Sequence, residues 1–304
     1  MKWRGRRTSS NIEDRRGTGG GGIGAFRRMR GGQRVRMPGR RGKVGGLGLI
    51  VIVVLALLFG VDPTVLLQGG GSGSGFSIPM DAPATGPNQI DDTSEEFVGV
   101  VLADTEEVWT SLFSNSGQTY RAPKLVLFSG RTASGCGAAS ASSGPFYCPG
   151  DNKAYLDMAF FKVMDRQLGA GGDFAQAYVI AHEIAHHVQN ELGVMEQVNR
   201  HRARASKADA NRLSVMIELQ ADCFSGVWAH HAQRNFGSIE PGDIDEALNA
   251  ANQIGDDTLQ RNAGQAVVPD SFTHGTSAQR MQWFRAGFEA GDPTRCDTFN
   301  AARL

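Results

Sequence analysis

The sequence is poor in several things, and each shortage narrows its reading. Acidic residues are nearly missing from the first 43 positions, where only Glu13 and Asp14 face fourteen Lys and Arg. Apolar periodicity is missing there too, so residues 1–43, rich in Arg and Gly, read as a disordered basic head. No internal repeat is present, which excludes a repeat array. Charge is missing from residues 44–61, an uncharged run of 18 built around Leu49-Ile50-Val51-Ile52-Val53-Val54-Leu55. No small-x-small cleavage site follows it closely, and the basic stretch before it is far longer than a usual signal n-region. Nothing nearby offers a partner for a buried core helix. The run therefore reads as an uncleaved transmembrane helix, close to the lower length limit for crossing a bilayer.

The net charge of zero hides an asymmetry: the head carries +12 and the remainder, with 17 basic and 29 acidic residues, carries −12. Positive charge before the span and none directly after it predict a cytoplasmic amino terminus, with the downstream domain periplasmic or extracellular. Basic flanks of an apolar span are a topology signal, so no nucleic-acid partner is expected. Residues 62–75 include Gly69-Gly70-Gly71-Ser72-Gly73-Ser74-Gly75 and read as a flexible linker. Residues 76–304 then form one globular domain.

Its pattern is mixed. Helical spacing covers 91–114, 174–192, 195–236, 244–254 and 277–290. Strands are expected at 124–128 and at 154–161, the second running into a helix.

The strongest chemical signal is His182-Glu183-Ile184-Ala185-His186. Histidines four apart share one helix face and can hold one zinc ion, while Glu183 can reach a water at the metal as general base. No Pro or Gly interrupts this helix. A catalytic zinc takes three protein ligands and leaves one position open. Glu218, on an otherwise apolar helix, is the candidate third ligand, and Asp222 one turn later can orient a ligand histidine. His187 points elsewhere and reads as supporting structure; His201, His230 and His231 read as surface or packing residues. His274 sits in a loop before a helix. It either donates to an oxyanion or merely precedes an N-cap at Thr276 or Ser277. Four cysteines suggest two bridges. Cys136 and Cys148 flank a small-residue segment, which leaves Cys223 with Cys296, although four cysteines allow three connectivities.

Several segments together resemble the bacterial neutral zinc metallopeptidase family, anchored by one amino-terminal span. They are Met1-Lys2-Trp3-Arg4-Gly5-Arg6-Arg7, Gly144-Pro145-Phe146-Tyr147-Cys148-Pro149, Tyr155-Leu156-Asp157 with Phe160-Phe161, the stretch Ala181 to Gln189, Glu218 to Cys223, and His274-Gly275 with Arg280. The ligand pattern is similar to the gluzincin group. Some small gluzincins carry His-Pro-x-x-x-x-Arg near the end; here Gly275 stands where Pro would be. The resemblance implies a zincin-like α+β fold, predominantly helical with a small sheet. It also implies peptide substrates bound as an added strand, for which residues 154–160 are the candidate. The expected activity is zinc-dependent hydrolysis of protein or peptide substrates at a membrane. Two rivals remain: a catalytically silent domain that binds or scaffolds envelope proteins, and a purely structural zinc.

Overall fold

A computed structural model describes residues 1–16, 92–140 and 143–300. In chain order the elements are β1 (Ile12–Asp14), α1 (Thr93–Asn115), β2 (Lys124–Phe128), β3 (Arg131–Ser134), β4 (Gly137–Ser140), β5 (Phe146–Cys148) and β6 (Lys153–Asp157). There follow α2 (Ala159–Leu168), α3 (Asp173–Glu191), α4 (Val194–Arg202), α5 (Lys207–Phe236), α6 (Asp243–Gln253), α7 (Asp256–Asn262) and α8 (Ser277–Ala290). This is the expected mostly helical α+β chain. The stretch read as one helix over 195–236 is two, because Ser206 caps a fresh helix by accepting from the Asp209 N–H.

The main sheet runs β1-β2-β6-β5. β1, β2 and β6 are parallel, and β5 closes the order antiparallel to β6. β6 therefore has both edges occupied, so residues 154–160 cannot accept an added strand. Among the described residues, the edge on the α3 side is β5.

Residues 1–16 overturn the expectation of a wholly disordered head. They fold into the domain: Met1, Trp3 and Ile12 are buried, and β1 pairs Ile12–Asp14 with Leu125–Leu127. The physical reason is long-range neutralisation. Arg6 makes a two-pronged bond to Asp104 at 2.7 and 2.8 Å, and Arg16 reaches Asp92 at 2.6 Å and Glu95 at 3.2 Å. Ser9 and Asn11 both donate to Glu106. The domain boundary expected near residue 76 is corrected accordingly, since the domain includes β1. The rest of the expected head, the run 44–61 and the linker 62–75 lie outside the described residues. Among the described residues no helix is long and apolar enough to cross a membrane.

Strand pairing also bears on sidedness. Backbone hydrogen bonds between β1 and β2 put residues 1–16 and 92–300 on one side of any membrane. A cytoplasmic amino terminus with its domain across the bilayer does not fit this pairing.

The core is built on α3 and α5, with Phe174 stacked on Trp228 at 5.8 Å and Trp109 edge-on to Phe224 at 5.4 Å. α8 lies against α5 at backbone contact. A Cβ on Gly226 would stand 2.0 Å from the Phe284 carbonyl oxygen, and one on Gly287 1.9 Å from that of Cys223. Two bridges, Cys136–Cys148 and Cys223–Cys296, tie the β3–β4 hairpin to β5 and the carboxyl tail to α5.

Two outcomes follow. Gly287→Ala should cost on the order of 1–3 kcal/mol by overpacking, read by denaturant unfolding; an unchanged midpoint would mean that the helices separate freely. Single cysteines at exposed Lys2 and Lys162, treated in intact cells with a membrane-impermeant maleimide, should both label or both stay protected. Labelling of one alone would contradict the shared side.

Candidate metal centre

α3 carries His182 and His186 on one buried face; their rings lie 4.8 Å apart at 87°. α5 crosses below and presents Glu218. The His182 Nε2 is 3.1 Å from Glu218 Oε2, and the His186 Nε2 is 3.5 Å from Glu218 Oε1. Ligand atoms about 2.0–2.1 Å from a tetrahedral zinc stand about 3.3 Å from one another, so these separations suit the ion. One nitrogen or oxygen from each of the three residues falls within 4.8 Å of the others. Two imidazoles and one carboxylate leave a tetrahedral ion one open position, the pattern of catalytic rather than closed structural zinc sites. Glu183 is half-buried beside them. Burial raises its pKa, while the two imidazoles pull it back.

Asp222 sits where expected. It is fully buried and accepts from the His182 Nδ1 at 2.9 Å, from the Tyr178 hydroxyl at 2.6 Å and from Arg280 at 2.8 and 2.9 Å. The Nδ1–H bond to an acceptor-only carboxylate leaves the His182 Nε2 for the metal. Burial would raise the Asp222 pKa, but Arg280 and His182 hold it at about 2. Burial likewise opposes ionisation of Glu218, yet the neighbouring imidazoles keep it well below its usual range.

His186 faces Gln189, whose Oε1 is 2.9 Å from its Nδ1. Sequence reasoning gave Gln189 no role, because its other partners come from α5. His187 is buried, donates to the Arg121 carbonyl at 2.6 Å and takes the Tyr147 hydroxyl at 3.0 Å, so it fastens β5 to α3. His230 and His231 bond the carbonyls of Phe288 and Gly291 and serve packing.

His274 joins the site. Asp256, fully buried, accepts from the N–H groups of Thr273, His274 and Gly275 and from the His274 Nδ1 at 3.1 Å. Burial lowers the His274 pKa, but Asp256 and Glu218 together raise it. Gly275 has φ +93°, beyond the reach of proline, and its Cα side packs on Val215 and Leu219 of α5. The glycine at the expected proline position is thus what lets this loop seat His274 beside the ligand helix. Asp256 was missed; as one of the pair Asp256-Asp257 at a helix start it carries no local signal of a site.

A family profile described as "Putative neutral zinc metallopeptidase" matches residues 1–299. The chain belongs to this family. Its match starts at residue 1 and so takes in β1 as well as the metal helices. The chain is 48% identical to "Uncharacterized protein YpfJ" of Escherichia coli (strain K12) over 299 residues, 98% of this chain and 99% of that one. It is 46% identical to "Uncharacterized protein Rv2575" of Mycobacterium tuberculosis (strain ATCC 25618 / H37Rv) over 209 residues, 66% and 68% of the two chains. No solved structure matches.

The electrostatics set a pH response. Burial lowers the His182 pKa, but Asp222 and Glu218 outweigh it and push it from 6.5 up to about 10. Without metal this proton stabilises the fold fully below pH 6.5, and the gain is lost as pH rises through about 10. Zinc must displace the proton, so affinity should rise by about tenfold per pH unit between those limits for each proton released. Chelator competition and melting of metal-free protein across this range check both trends. A metal-free melting temperature that is flat or rising would contradict them.

Proposed function

We propose that this protein is a zinc-dependent peptidase with a zincin-like domain that hydrolyses peptide bonds of protein or peptide substrates. The observation that carries the reading is the convergence of His182, His186 and Glu218 with Glu183 half-buried alongside. His182, His186 and Glu218 would hold the ion, which when bound supplies Lewis acidity to a water and to the scissile carbonyl. Glu183 takes the proton of the attacking water and passes it to the leaving amine. Asp222 keeps His182 in its ligating tautomer. His274, held by Asp256, donates to the oxygen that gains negative charge.

The substrate lies along β5 as an added strand. Two disulfides support placing the domain in an oxidising compartment, outside the cytoplasm.

The full chain and its Glu183→Gln variant should each retain one zinc. The variant should cleave a broad peptide library about 10²–10⁴-fold more slowly. If the wild type holds zinc and cleaves nothing, the domain is a silent binding module instead.

A further inference from the structure

The second metal-ligand histidine is held through a chain of side-chain amides. His186 faces Gln189 Oε1 at 2.9 Å. Gln189 Nε2 donates to the Ile217 carbonyl at 2.7 Å and to Gln220 Oε1 at 3.1 Å. Gln220 Nε2 in turn donates to the Cys296 carbonyl at 2.9 Å. Gln189 is fully buried and Gln220 nearly so.

The chain has one polarity. Its far end is a backbone carbonyl, which only accepts, so Gln220 must present its nitrogen there and its oxygen to Gln189. Gln189 must then present its nitrogen to Gln220 and to Ile217, another carbonyl, and its oxygen to His186. The last link requires a proton on the His186 Nδ1, so it is the Nε2, facing Glu218, that remains to take a metal. Neither amide can flip without setting oxygen against oxygen.

We infer that Gln189 and Gln220 are positioning residues for the metal centre, a neutral relay that fixes the tautomer and ring angle of His186. The relay hangs from the carboxyl tail, which the Cys223–Cys296 bridge fastens to α5, the helix that carries Glu218. The two imidazoles are thus oriented by different means. His182 leans on the carboxylate of Asp222, compensated by Arg280, and His186 leans on a dipole. A second carboxylate at residue 189 would face the Ile217 carbonyl and Gln220 Oε1, both acceptors. This inference rests on the proposed zinc site.

The test uses the full chain. Gln189→Leu should lower zinc affinity by about 10–100-fold in chelator competition. Gln220→Leu should lower it less, because Gln189 keeps its bond to Ile217. In zinc-loaded protein, the His186 Nδ1 proton resonance should move upfield in Gln189→Leu while that of His182 stays in place. A general packing defect would move both. Gln189→Glu should also weaken binding, since it keeps an acceptor for His186 but loses the donor.

Zinc affinity within twofold of wild type in Gln189→Leu, or an unmoved His186 proton, overturns the relay. If Gln189→Leu does not fold, an unmoved His186 proton in Gln220→Leu overturns it. A wild-type chain that takes up no zinc would overturn the metal-site reading, a separate failure.

Discussion

The buried carboxylate of Asp222 is the point on which the centre turns. It receives hydrogen bonds from α3 through Tyr178 and His182, and from α8 through Arg280, while itself belonging to α5. An unpaired buried carboxylate would be prohibitively costly, so the three helices can close only in the arrangement that brings both donor sets to it. Close backbone approach at Gly226 and Gly287 is what allows α8 to deliver Arg280 to that depth. The hub thus links helix packing to ligand geometry. If α8 moves, Arg280 withdraws, and Asp222 loses the cation that keeps it ionised beside His182.

The parts of this site that were legible in the sequence share one property: their geometry is local. Two histidines four apart on an uninterrupted helix, and a Glu and an Asp four apart on another, fix relative directions without tertiary knowledge. The residues that stayed hidden work through distant partners. Asp256 matters because it gathers three backbone N–H groups and an imidazole from a loop 17–19 positions away. Gln189 matters because its amide meets a carbonyl on α5.

The head was misread for the same reason. Arg6 has no acidic residue within six positions of it, and Arg16 has only the Glu13-Asp14 pair nearby; their distant counterions Asp104, Asp92 and Glu95 lie some eighty to a hundred residues on. Composition treats such a stretch as disordered, because it cannot see that another element supplies the neutralising surface. The expected edge strand was misplaced because the sheet order is not sequential. β5, three residues long, carries little strand signal, yet the order β2-β6-β5 puts it at the edge and β6 inside.

Protons and metal compete for one set of charges. Around the ligand atoms stand Glu218, Glu183 and Asp222, with Arg280 as the fixed cation. Three carboxylates against one guanidinium leave a deficit that imidazole protons can fill, and this is why both ligand histidines are pushed toward the charged form despite burial. A divalent ion would fill the same deficit while both imidazoles became neutral. Carboxylates that hold a proton on His182 would equally favour a metal there, and the His182–Glu218 contact at 3.1 Å spans the space that the ion would take. A neutral partner for His186 fits this balance. A further buried anion would leave a loaded centre with net negative charge and blunt the Lewis acidity on which the proposed hydrolysis rests.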